Sequence, residues 1–277
     1  MPFSFPQMPD RLTSTEQSIL EYIAAHRDEF LCMTIGQLSD ALGISEATVS
    51  RFARHVGCED FRHLKRVILD QTVQRGPAQK LTHTLQTQEA SPLAYWLEQQ
   101  RYNLQKTQEL LDEEGFAQAV EAICRARRVF LYGKNASRAP AQLLEYRLRR
   151  IGVDVRQIPS AGTELLESLP AMGPEDLVVL FNFAKLSAEG RVLLDYQKKA
   201  GYQTLLFTSR AYHEMQDAQA SIRLLVYRGE ENAQHSMSAP VAVAEALTLA
   251  VSARMGSDAL QRLEEIRQLK DTYRHSL

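Results

Sequence analysis

The sequence has no uninterrupted apolar run near the roughly 20 residues that a membrane-spanning helix requires, and its polar, proline-bearing start does not read as a signal peptide. A cytoplasmic chain with no membrane partner is the expectation. Cysteine is scarce. Cys32, Cys58 and Cys124 are widely spaced, with no Cys-x-x-Cys and no Cys/His pair at metal-ligand spacing. That argues against a disulfide framework or a thiolate metal site and leaves three free thiols. Charge of one sign is also missing, because 32 Lys and Arg against 34 Asp and Glu leave a formal net charge of -2 at pH 7. No molecule-wide basic field exists to hold nucleic acid, so any such contact has to come from a local face. What remains is a chain of 277 residues with ordinary globular proportions, 44% hydrophobic and 24% charged, long enough for one large domain or two ordinary ones.

The first 76 residues hold no strand-like run and read as a small all-α unit. Thr13 to Glu16 spells a capping box, followed by Ile19, Leu20, Ile23, Ala24 and Phe30 at helical spacing. Residues 34–42 give a second helix, closed by Gly43. Ser45 then caps a third, in which Val49, Phe52, Ala53 and Val56 face inward while Glu46, Ala47, Ser50, Arg51 and Arg54 face out. Residues 61–73 form a further amphipathic helix carrying Arg62, Lys65 and Arg66. Residues 77–91, polar and opened by Gly76-Pro77, are the expected linker.

The second domain is expected over 92–277, and from residue 129 the texture changes. After helices at 92–111 and 116–124, five short apolar runs at 129–132, 153–158, 177–181, 203–207 and 222–227 read as buried strands. Helical segments at 139–151, 163–169, 188–200, 212–216 and 239–255 alternate with them. This alternation predicts a doubly wound parallel sheet of αβα, flavodoxin-like type. A last amphipathic helix, 257–273, packs on its own domain or on another subunit.

Two short helices joined by Leu-Gly-Ile, the second slim and serine-capped at its start, meet the needs of a helix-turn-helix. Ser45, Ala47, Thr48 and Ser50 are compact enough to enter a major groove, and Arg51 and Arg54 are placed to reach a guanine edge or a phosphate. Arg62, Lys65 and Arg66 are candidate phosphate contacts. Charge segregates accordingly: Asp10, Glu16, Glu21, Asp28 and Glu29 precede these basic residues in the chain. Glu46 either accepts from a cytosine amino group or complements the helix dipole. The stretch TIGQLSDALGISEATVSRFARHVGCEDFRHLK, with LTSTEQSILEYI ahead of it, resembles the helix-turn-helix domain of the RpiR family of bacterial transcriptional regulators. Members of that family carry a C-terminal SIS, or sugar isomerase, domain of the α/β type read above, so the resemblance covers nearly the whole chain.

In a doubly wound sheet, ligands sit beyond the carboxyl ends of the strands, where helix N-termini present amides to anions. One such place is Tyr132-Gly133-Lys134-Asn135-Ala136-Ser137; a single glycine there is too few for a dinucleotide fingerprint, and no cofactor is expected. The SIS resemblance implies a Gly-x-Gly-x-Ser turn here, with Asn135 replacing the second glycine and Ser137 kept. It also implies a Ser-x-Ser-Gly-x-Thr loop for sugar phosphate at 182–187, where Asn182 and Ala184 replace the serines, Lys185 the glycine and Ser187 the threonine. Either Lys134 and Lys185 supply charge in place of lost hydroxyls, or the phosphate grip is gone. Glu164, His235, Ser236 and Glu245 are further pocket candidates.

These features predict a ligand-responsive regulator that binds double-stranded operator DNA, senses a sugar phosphate or related anionic metabolite and forms a homodimer or homotetramer. No catalytic residue or metal is expected. Two alternatives stay open. One is a sugar-phosphate isomerase using His235 or Glu245 as base, and the other is a DNA-binding protein whose second domain only oligomerises.

Overall fold

The computed structural model describes all residues except 1, 2, 8, 10, 74, 75, 87–90, 214–219, 275 and 277. Asp10, residues 87–90 of the expected linker and 214–216 of an expected helix lie outside the described residues. Two compact units form. The first comprises 1–97 with 229–235, and the second 98–228 with 236–277.

In the first unit, α1 (Ser14–Ala25) starts at the expected capping box, with the Thr13 side chain accepting from the Glu16 amide and Glu16 reaching back to the Thr13 amide. The expected continuation to Phe30 breaks at His26, whose φ of -123° and ψ of 41° leave the helical region. A separate α2 (Arg27–Cys32) then turns Phe30 and Leu31 into the core. Thr34 caps α3 (Ile35–Leu42) with Gln37 as reciprocal partner, and Gly43 closes it at φ 63°, a left-handed position that glycine occupies without cost. The helices α4 (Glu46–His55) and α5 (Phe61–Val73) complete the core with Val49, Phe52, Ala53, Leu64 and Ile68, all buried. Within the expected linker, Pro77–Gln86 is a helix, α6, with proline at its first position, where a missing N–H costs nothing.

The second unit takes up the chain inside α7 (Pro92–Leu110) and continues through α8 (Glu113–Arg125). Its strands are β1 (Arg128–Gly133), β2 (Val155–Gln157), β3 (Asp176–Phe181), β4 (Gln203–Thr208) and β5 (Ile222–Leu225). All pair in parallel in the order β2-β1-β3-β4-β5, with Leu131 opposite Val179 and Leu180 opposite Leu206. Side-chain alternation sends Val129, Leu131, Val179 and Phe207 to one face and Phe130, Tyr132, Val178 and Leu206 to the other. The first face is covered by α8, α9 (Arg138–Arg150) and α13 (Ser238–Met255), through Ile123, Leu144, Leu148 and Leu247. The second is covered by α10 (Glu164–Ser168) and α11 (Ala188–Ala200), through Leu165, Leu193 and Leu194. A short α12 (Arg210–His213) follows β4, and α14 (Ser257–Thr272) packs on α9 and α13 of its own unit. The strand order reverses between β1 and β3, which opens a crevice beyond their carboxyl ends.

Candidate functional sites: a reading helix and a switch-point crevice

Within the first unit, the start of α4 is organised by a chain of hydroxyls. Ser45 Oγ accepts from the Thr48 amide at 3.2 Å, Ser45 and Thr48 hydroxyls are 2.9 Å apart, and Arg51 donates to Thr48 Oγ1 at 3.2 Å. The cap therefore also steadies the arginine. Ser45, Glu46, Ala47, Arg51 and Arg54 are exposed, Thr48 and Ser50 half-buried, while Val49 and Phe52 anchor the opposite side. The Glu46 carboxylate oxygen lies 3.0 Å from where a Gly36 Cβ would stand, in the first turn of α3. Its charge thus complements the positive ends of two helices.

Arg62 and Arg66 are exposed, whereas Lys65 corrects the expectation of a phosphate contact. Its side chain is 1% exposed; the ammonium donates to the Met33 carbonyl at 2.9 Å and lies 5.7 Å from the Phe61 ring centre. Lys65 is one helical turn from Ile68 and Leu69, both buried, so the helix phase carries it inward. It ties α5 to the end of α2. Among the cysteines, burial pushes the Cys58 thiol up to about 11, the nearby Asp60 adding to that, so it stays protonated and inert.

In the second unit, β1 runs out at Gly133, where a Cβ would collide with the Ser137 carbonyl oxygen, so the turn admits glycine alone. Asn135 follows with φ 54°, the one non-glycine residue of positive φ among the described residues. Asparagine tolerates this left-handed conformation, which explains how it replaces a glycine there. Ser137 ends the turn at the start of α9, half-buried, its hydroxyl making no cap bond. Pro140, third in α9, removes one amide from this helix start.

Across the crevice, loop 182–187 is held by its own groups. Asn182 Nδ2 donates to the Ala184 carbonyl at 2.7 Å, and Asn182 N to the Phe207 carbonyl at 3.0 Å. Ser187 caps α11 by accepting from the Gly190 amide at 3.0 Å, and its hydroxyl is 2.9 Å from the Tyr132 hydroxyl. Ser187 is thus a structural cap, engaged on both sides. Ala184 and Lys185 are exposed at the loop's outer edge.

Lys134 is not a free cation, because its Nζ donates to Glu189 Oε1 at 2.8 Å. That bond holds the Glu189 carboxyl below its usual range and the Lys134 ammonium above its own. The bridge spans the switch point from the β1 turn to the first turn of α11. Glu189 was not legible as a site residue in sequence, although an acid in the first turn of a helix leaving a central strand is a findable signal. Arg228 is another such residue: 8% exposed beyond β5, its guanidinium 4.6 Å from the Phe183 ring centre, within cation–π range.

Several expected pocket residues lie elsewhere. Glu245, two turns into α13, forms an exposed 2.7 Å ion pair with Arg147 far along α9, and so does not share the crevice. His235 Nε2 lies 3.1 Å from the Glu230 carbonyl, in the segment 229–235 that groups with the first unit. Ser236 is buried and bonds Ser238 ahead of α13, and Glu164 is exposed on α10. No helix among the described residues is long and apolar enough to cross a membrane, and no group of three or more His, Cys, Asp or Glu there is arranged to hold a metal ion.

Comparison with known proteins matches both units. Residues 5–75 fit the model of the helix-turn-helix domain of the rpiR family, and 122–253 that of the SIS domain. The chain is 25% identical over 201 residues to an uncharacterised HTH-type transcriptional regulator of Providencia stuartii, covering 72% of this chain and 71% of that one. It is 22% identical over 231 residues to the uncharacterised HTH-type regulator YfhH of Escherichia coli, covering 82% and 81%. In fold it resembles the sugar isomerase domain of an RpiR transcription factor from Sphaerobacter thermophilus, with TM-score 0.59, 24% identity and coverage of 64% of this chain and 98% of that one. The Vibrio vulnificus NanR protein complexed with ManNAc-6P has the same TM-score, 0.59, at 17% identity over 95% of both chains. With family models matching both its helical and its α/β unit, the chain belongs to the RpiR family of HTH-type transcriptional regulators, a helix-turn-helix domain followed by a SIS domain.

Proposed function

We propose that this regulator reads operator DNA with α4 and senses a sugar phosphate or related anion in the crevice between β1 and β3. Arg51 and Arg54 contact bases or phosphates, Arg62 and Arg66 contact phosphates, and the chain acts as a homodimer or homotetramer. The observation that carries the sensing role is the Ser137 hydroxyl, which makes no cap bond at the start of a 13-residue helix, beyond a turn that Gly133 and Asn135 shape. Lys185, exposed on the facing loop, supplies charge. The fold shared with a NanR protein that holds ManNAc-6P supports this class of effector.

An isomerase reading is less well supported. It needs a base beside the substrate, and Glu245 is committed to Arg147 in an exposed ion pair. The test is a thermal-shift and calorimetric screen of sugar phosphates and sugar acids. A true effector at 100 times its Kd should stabilise the second unit by about 2.7 kcal/mol, and Ser137→Ala should remove the effect. Turnover of an aldose phosphate by purified protein would favour the isomerase instead.

A further inference from the structure

At the amino end of the sheet, opposite the crevice, the second unit has a cleft of about 830 Å³ between the end of α9, the start of β2 and α14. Four arginines from these three elements line it, Arg149, Arg150, Arg156 and Arg262, against a single carboxylate, Asp154. Basic residues in the last turn of a helix answer its dipole, which accounts for Arg149 and Arg150. Nothing of that kind accounts for Arg156 on an edge strand or Arg262 on α14, so their convergence on the same cleft is informative.

The arginines are weakly committed. Arg149 and Arg156 stand 3.6 Å from Glu145 and Asp154, beyond hydrogen-bond length. Arg262 reaches Glu265 at 3.1 Å as an exposed i,i+3 pair. Arg150 Nε is shut off from water with no hydrogen-bond partner, while its Nη1 meets the Tyr146 hydroxyl at 3.3 Å. The Arg150 guanidinium also lies 5.5 Å from the Tyr146 ring centre, so Arg150 frames the cleft while the exposed Arg149, Arg156 and Arg262 offer it accessible N–H groups.

We propose that this cleft is a second anion site, separate from the effector crevice, taking a small molecule that bears two or more phosphate groups. Guanidinium forks match phosphate oxygens two at a time, and four of them exceed what one phosphate uses. The volume lies in the roughly 300–1,000 Å³ range of small-molecule pockets. Such a ligand would bridge the edge strand to α14.

The experiment is calorimetric titration of the full chain with pyrophosphate at fixed ionic strength. The expected result is saturable binding, weakened about tenfold per arginine removed, in Arg156→Ala and in Arg156→Ala/Arg262→Ala. Ser137→Ala, which alters only the effector crevice, should leave the arginine-dependent part of the binding in place. Both arginine side chains are 54% exposed, so the variants fold, and Arg156→Gln provides a milder second variant. Absence of saturable binding overturns the proposal. So does binding that ignores the double variant or vanishes with Ser137→Ala. A double variant that loses only affinity for random duplex DNA overturns it as well, since the cleft would then be a backbone contact for nucleic acid.

Discussion

Two buried ionic residues carry different messages. Asp176 is 2% exposed at the start of β3 and accepts from Arg127 at 3.1 Å, Arg128 at 2.9 Å and the Gly173 amide at 2.9 Å. Burial alone would raise its carboxyl, but these donors outweigh burial and bring it down to about 2. A depressed folded-state value means that the stabilisation is present above the unfolded value of about 4 and lost as pH falls towards 2. Acid titration of the second unit's stability should therefore show a loss of about 2 kcal/mol in that window, absent in Asp176→Asn. Lys65, by contrast, should matter to the first unit's stability and not to DNA. Lys65→Ala should cost about 1–3 kcal/mol in urea unfolding without changing the salt dependence of binding, whereas Arg66→Ala should lower the salt slope by about one. The inward turn of Lys65 was legible in its spacing to Ile68 and Leu69; the basic run Arg62, Lys65, Arg66 obscured it by suggesting one charged face. Glu189 was hidden for another reason: its partner Lys134 is 55 residues earlier in the chain, and no periodicity links two loops that meet only because β1 and β3 are neighbours.

At the scale of elements, helix ends and buried strands were the most readable parts of the sequence. The capping box at Thr13, the serine cap at Ser45 and the glycine stop at Gly43 are local chemistry, and the structure uses each as written. Strands β1, β3 and β4 announced themselves as continuous apolar runs because both faces are covered, while the break at His26 had no local signal strong enough to separate α1 from α2. Ser45→Ala should cost about 1 kcal/mol of first-unit stability through loss of the cap, measured by urea denaturation, and should also loosen Arg51 through Thr48. In the proposed effector crevice, Glu189 holds Lys134, which an anionic effector would otherwise engage. Glu189→Gln keeps the shape of the side chain while freeing Lys134, so the effector's affinity should rise about fivefold, close to 1 kcal/mol. A weaker affinity in that variant would place Glu189 among the groups that hold the effector directly.

For the whole molecule, regulation requires that the effector favour one state of the protein over another, since a ligand of equal affinity for both shifts nothing. The two-part organisation was legible from the polar stretch after Gly76-Pro77, the change of texture from residue 129 and the charge concentrated after Gly43 in a chain of net charge -2. Assignment of residues 229–235 to the first unit was not, because that segment lies far along the sequence from its neighbours. The Arg51→Ala variant should lose about 1–3 kcal/mol of operator affinity if its guanidinium reads a base edge, by fluorescence anisotropy against an in-vitro-selected duplex. Coupling between effector and DNA is measured by repeating that anisotropy titration with wild type and Ser137→Ala, each with and without the sugar phosphate that gives the largest thermal shift. The compound should change wild-type operator affinity, while Ser137→Ala should bind the duplex normally and ignore the compound. An operator affinity that no sugar phosphate or sugar acid alters in the wild type would contradict that coupling, leaving the SIS domain as an oligomerisation module.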